Sequence, residues 1–120
     1  MRVITDWLRD AGYFTGNLRA LTAEIGFKGT GKTDWNFSHP GKPFDTDNWA
    51  DLKARQPFYA QINFSETHRT FNAPAKADPA KVEIPPYYPD HPVTREDWAQ
   101  YLDDATELDR KIGLVLKQLE

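Results

Sequence analysis

Cysteine is absent from the 120 residues, so disulfide bridges and thiolate metal sites are excluded and the redox compartment leaves no mark. Long apolar runs are missing as well: no stretch approaches the roughly 18 consecutive apolar residues of a membrane span, and no membrane partner is expected. Charge of one sign is not in excess either. The 15 Lys and Arg stand against 18 Asp and Glu, a net charge of -3. The basic residues are scattered, whereas a nucleic-acid surface needs a basic stripe to neutralise phosphates, so no nucleic-acid partner is expected. The first ten residues, MRVITDWLRD, hold Asp6 and Asp10 and no long apolar core, which is not the pattern of a signal peptide.

What is present suits a packed domain. Aromatic residues make up 13% of the chain and include four Trp to anchor a core, and the length suffices for one domain rather than two. Over residues 2–11, Val3, Ile4, Trp7, Leu8 and Ala11 recur at helical spacing, with Arg2, Asp6, Arg9 and Asp10 facing away; Gly12 stands where such a helix ends. YFTGNL (13–18) reads as a strand interrupted by Gly16. From Leu21 to Pro57 the chain is rich in Gly, Asp, Asn, Thr and Pro, which predicts a long ordered surface loop. PFYAQINF (57–64) is the best strand pattern, with Phe58, Ala60, Ile62 and Phe64 on one face.

Six prolines between residues 72 and 93 rule out a helix or a central strand and predict an extended segment laid across a surface. Thr94 then opens the strongest element, a helix with Thr94 as cap and Asp97 completing a capping box. Trp98, Tyr101, Leu102, Ala105, Leu108 and Ile112 begin its apolar stripe, which Val115, Leu116 and Leu119 continue. The order of elements predicts an α/β fold with few strands, flanking helices and long loops. Two strands make a poor sheet, so the chain reads as one partial domain over residues 1–120. An exposed apolar helix stripe predicts marginal stability or self-association.

GFKGTGKT (26–33) satisfies the phosphate-loop pattern G-x-x-x-x-G-K-[ST]. A working loop of that kind joins a buried strand to a helix whose N-terminus faces the phosphates. Here LRALTAEI precedes it, with Arg19 and Glu24 where the strand should be apolar, and DWNFSHPGKPF follows, with Asn36, Pro40, Gly41 and Pro43 against a helix. A nucleotide site is the weaker reading, and a Gly-rich turn with a solvated Lys is the default for an isolated match.

A third reading arises from LRDAGYFTGN (8–17), GKTDWNF (31–37), PFYAQINFSETHRTF (57–71) and the helical stretch 101–119 with its ATELDRKIG core. Taken in that order, these resemble stretches of the sulfatase family, alkaline-phosphatase-like hydrolases of sulfate esters, over nearly the whole chain. The resemblance implies a partial alkaline-phosphatase-like domain in which Lys32 and His68 serve catalysis, Lys32 as a cation against the sulfate and His68 as a hydrogen-bond or proton donor. Lys32, Asp34, His68 and Arg69 would contact a sulfate ester or sulfated carbohydrate. Asp34 departs from the family, which often has His at that position; an acid there repels sulfate unless it pairs with Lys32, Arg69 or a sugar group.

Glu66 and Arg69 flank His68, either to orient it or as a solvated ion pair. For Asn63 the bland reading is a buried structural hydrogen bond, and His39 and His91 sit beside prolines at no spacing that suggests zinc. In the family a formylglycine made from a C/S-x-P-S-R motif attacks the ester beside a divalent metal, calcium or another, held by Asp and Asn. This chain has no such motif, since SHPGK (38–42) ends in Lys and lies after the first helix. It also lacks the family's metal-binding Asp pairs, so it reads as an internal piece that holds no cofactor and is inactive alone. The resemblance leaves the compartment open, although sulfatases are often exported. A non-catalytic module binding a sulfated glycan through Lys32, His68 and Arg69 is the rival reading, with a nucleotide-binding fragment behind it.

Overall fold

A short helix opens the chain. In the computed structural model, which describes all 120 residues from Met1 to Glu120, α1 spans Ile4–Asp10. The Asp6 carboxylate caps it by accepting from the Val3 N–H at 2.8 Å, and Gly12, at φ +87°, follows its end. The apolar face expected from the spacing is not the buried one. Thr5 is buried at 1% exposure, whereas Ile4 and Trp7 are 61% and 59% exposed. Polar anchors set the rotation of this helix: Arg9 donates to the carbonyls of Lys42 and Pro43 at 2.7 and 2.6 Å, and His39 lies 2.9 Å from Asp6.

Two compact units divide the chain, Met1–Phe64 and Ser65–Glu120. The first is a small α/β unit around a three-stranded, all-parallel sheet ordered β2-β1-β3. β1 (Phe14–Ala20) is central, and Leu18 within it is fully buried. It continues through Gly16, although its register with β2 shifts between Gly16 and Ala20; the bare Cα lets the Leu52 side chain pack there, since a Cβ would sit 3.2 Å from Leu52. The loop expected over 21–57 carries more structure than its composition suggests. It holds a 3-10 turn (Ala23–Ile25), β2 (Thr46–Asn48) and α2 (Trp49–Lys53). Asn48 caps α2 by accepting from the Ala50 N–H at 2.9 Å, and Trp49 and Leu52 drop into the core. Elements this short show no periodicity to read.

Asp45 reinforces the β1–β2 pairing, accepting from both the N–H and the hydroxyl of Thr15 at 2.8 Å. β3 (Phe58–Gln61) pairs with β1 in register from Phe14 opposite Phe58 to Asn17 opposite Gln61. It stops short of the expected residue 64 because β1 is no longer its partner beyond Gln61. The Thr30 N–H takes over, donating to the Asn63 carbonyl at 2.9 Å.

In the second unit α3 (Pro92–Leu116) carries the extended proline-rich segment. The cap is His91, not Thr94: Pro92 occupies the first turn, where no N–H is needed, and the His91 ring accepts from the Val93 N–H at 3.2 Å. The apolar stripe is only partly covered, with Leu102, Ile112, Leu116 and Leu119 exposed. The deepest side chains of the helix are instead Ala99, Asp103 and Asp104. The reason is an accounting one. A proline-rich chain forms no ladder, so its N–H groups need other acceptors. Asp104 accepts from Asn72 and Ala73 at 3.0 Å each, and Asp103 from Lys76 at 2.9 Å and Ala77 at 3.0 Å. Arg95 adds the converse, donating to the Val82 carbonyl at 3.1 Å while pairing with Asp90.

Candidate functional site

In the first unit the candidate residue is Lys32, carried by a Gly-rich turn held against two strands. The Gly29 N–H donates to the Arg19 carbonyl at 3.2 Å, and Thr30 reaches Asn63 as described. A Cβ on Gly29 would lie 2.0 Å from the Leu18 carbonyl oxygen, so only glycine permits that approach. Gly31, at φ +66°, lies against Arg19, whose Cγ would be 2.6 Å from an added Cβ. These two glycines serve close packing against β1. The segment directly after Thr33 is not helical, and the turn is not a strand-to-helix junction of the phosphate-loop type.

Two asparagines then lock the turn. Asn17 in β1 donates to the Gly31 carbonyl at 2.8 Å, and Asn63 donates to the Lys32 carbonyl at 2.8 Å and to Asn17 Oδ1 at 3.1 Å. Asn63 makes the structural hydrogen bonds of the bland reading, although it is half-buried rather than buried. Asn17 was not singled out, although a buried Asn in a central strand is itself a signal, since strands are poor in Asn. The backbone of Lys32 is thereby fixed while its side chain stays 61% exposed, with Nζ 3.0 Å from Asp34 Oδ2. Asp34 takes a left-handed φ of +49°, a conformation that Asp tolerates better than most residues. The acid at this position thus pairs with Lys32, one of the partners its charge required.

In the second unit the stretch after β3 carries His68, which is exposed. Its Nδ1 hydrogen-bonds the Arg69 carbonyl. A carbonyl only accepts, so the proton sits on Nδ1 and Nε2 is the ring atom left for a ligand. Glu66 and Arg69 do not pair with each other. Glu66 pairs with Lys111, and Arg69 forms a two-pronged bond to Asp97 with its guanidinium 5.0 Å above the Phe71 ring. Burial pushes the Glu66 carboxyl up, but the Lys111 hydrogen bond and its own backbone N–H outweigh that and leave it below the usual range. The Asp97 hydrogen bond holds the Arg69 guanidinium above its ordinary value. Asp97, expected in a capping box with Thr94, is instead the partner that aims Arg69.

His39 and His91 serve the fold through Asp6 and the α3 cap. No group of three or more His, Asp or Glu side chains is placed to hold a metal ion. No helix is long and apolar enough to cross a membrane.

No family model and no solved structure matches the chain. Among curated proteins, the ulvan-active sulfatase of Formosa agariphila is 24% identical over 164 aligned residues, covering 100% of this chain and 26% of the relative. The chain thus spans about a quarter of that relative's length. The alignment is longer than the chain, so the relative carries residues within the span that this chain lacks. The similarity supports a sulfatase relationship.

Proposed function

We propose that this chain is an internal piece of a sulfuric ester hydrolase acting on a sulfated carbohydrate, and that it supplies substrate contacts while the nucleophile and metal lie elsewhere in the parent. The observation that carries this reading is the pinned turn: the sequence spends two glycines and two asparagines to fix the backbone of one exposed lysine. A sulfate ester carries its charge on three terminal oxygens. A lysine whose backbone cannot move presents a preorganised cation to one of them, which stabilises charge without reorganisation at the moment of reaction. Asp34 holds the ammonium in place before substrate arrives and then accepts from a sugar hydroxyl.

His68 serves the other end of the reaction. With Nδ1 donating to the Arg69 carbonyl, Nε2 is the ring atom that faces a ligand, and a proton carried there is the one the reaction uses. That proton either hydrogen-bonds a sulfate oxygen or passes to the alkoxide released when the ester S–O bond breaks. Arg69, aimed by Asp97, contacts the carbohydrate.

The test is kinetic. Aryl-sulfate hydrolysis is measured in the longer protein carrying this chain with a C/S-x-P-S-R motif upstream. Lys32→Ala is expected to lower kcat/KM by about 100-fold, in the range for removal of one transition-state charge contact. His68→Ala is expected to lower kcat. Unchanged turnover in both variants defeats the proposal. Salt-sensitive binding of sulfated glycan without hydrolysis leaves the binding-module reading in its place.

A further inference from the structure

The second unit holds a cavity that the sulfate contacts leave unexplained. It has a volume of about 230 Å³ and lies between the segment after β3 and the first turns of α3. Four rings wall it: Phe71, Tyr88, Trp98 and Tyr101. Trp98 and Tyr101 stack at 4.9 Å and 26°, Tyr88 leans on Trp98 at 6.0 Å, and Phe71 meets Tyr101 edge-on at 5.8 Å. Rings so close would ordinarily fill the space between them, since a void forfeits the contacts its lining would make. Here they leave a hollow, and its remaining wall is polar. Arg69 and Asp97 meet there through a two-pronged bond, with the hydroxyl-bearing Thr67 and Thr94 beside them. Thr94, which the sequence assigned to capping, is free for this wall because His91 caps α3.

We propose that this cavity is a binding site for one pyranose ring of a carbohydrate. The chemistry of the walls selects that ligand. A pyranose has a flat face of C–H groups, which packs on aromatic faces, and an equatorial rim of adjacent hydroxyls, each both donor and acceptor. The Arg69–Asp97 pair uses two of the five guanidinium N–H groups and one lone pair on each carboxylate oxygen, leaving adjacent donors and acceptors for the hydroxyls of such a diol. An aromatic ligand would match the rings and strand those polar groups. The volume, below the roughly 300–1,000 Å³ of sites for drug-sized ligands, suits a single ring. The preference for a sugar over other hydroxylated rings rests on the sulfated-carbohydrate reading above. In that setting the cavity is a sugar subsite next in sequence to His68, and it recognises the ring rather than the sulfate.

The test uses sugars that carry no sulfate, so that its result is independent of the fate of Lys32 and His68. The 120-residue chain is titrated with glucose, xylose, rhamnose and glucuronate, and separately with inorganic sulfate, while the indole N–H resonances of its four Trp are followed by NMR. Trp98→Phe assigns the Trp98 signal. At least one sugar is expected to shift that signal saturably, leaving Trp7, Trp35 and Trp49 in place, and sulfate is expected not to. Tyr88 is 48% exposed, so Tyr88→Ala should keep the circular dichroism unchanged while weakening binding roughly threefold to tenfold. Arg69→Met should weaken it further. The proposal is overturned if no sugar moves the Trp98 signal at about 50 mM, above the millimolar constants that a few kcal/mol supports. It is equally overturned if a folded Tyr88→Ala variant binds as tightly as the parent chain, or if sulfate alone produces the same shift.

Discussion

Asp103 and Asp104 are adjacent, both buried, and both acceptors for the backbone of the proline-rich segment, yet they bond differently. Asp104 receives both of its N–H groups on Oδ1 alone, whereas Asp103 uses Oδ1 and Oδ2. An asparagine at 104 can therefore keep its oxygen where both donors point. At 103 the Ala77 N–H reaches both oxygens, at 3.0 and 3.2 Å, so an asparagine oxygen at the Oδ2 position keeps both donors but turns the amide N–H₂ against the Ala77 N–H. Asp103→Asn is expected to destabilise the second unit by about 2 kcal/mol and Asp104→Asn by less than about 1 kcal/mol. Urea unfolding of the two variants checks this; equal losses would mean that charge, not geometry, is what matters there. Residue identity made Lys32 and His68 candidates, since each stands in a stretch with a chemical pattern. Asn17, Asp97, Asp103 and Asp104 were not legible as partners, because a polar side chain acquires its role from whichever backbone or guanidinium group the fold brings to it.

Elements were legible where they are long and periodic. The helix beginning near residue 92, the strand from 58 and the short first helix all follow from spacing, since the pattern of apolar residues repeats often enough to define a period. β2 and α2 did not, at three and five residues, and were absorbed into a loop. The start of α3 is the informative error. A Thr with an acid three residues on satisfies the capping pattern, but Pro92 two residues earlier already has the backbone angle of a first helical turn, and His91 accepts the Val93 N–H. His91→Ala should therefore cost about 1 kcal/mol and fray the first turn, while Thr94→Ala should leave helix stability unchanged. Amide exchange of residues 93–96 measures both. Loss of protection on Thr94→Ala alone would restore Thr94 as the cap.

Across the whole molecule, four carboxyls are held below their ordinary values. The His39 hydrogen bond lowers Asp6 in the first unit; in the second, Arg95 lowers Asp90, Arg110 lowers Glu107, and Lys111 helps lower Glu66 against its burial. A depressed carboxyl binds its proton less readily folded than unfolded. Its contribution is complete above the unfolded values of 3.8 for Asp and 4.5 for Glu, and it is lost as pH falls through the folded ones. Urea midpoints are expected to be level from neutrality down to about pH 5 and to fall below it, with Asp6→Asn and Glu66→Gln each flattening that decline. A decline of equal steepness in both variants would place the acid sensitivity elsewhere. The sequence by itself determined the class of the fold, the long helix and the extended proline-rich segment, because periodicity and proline geometry are local properties. Only the tertiary structure decided which face of the first helix is buried, that the glycines of the turn pack against a strand, and that Arg69 faces Asp97 beside a ring-lined cavity. Those outcomes depend on close approach between residues far apart in the chain, and no local pattern encodes which of several acceptable partners will be reached.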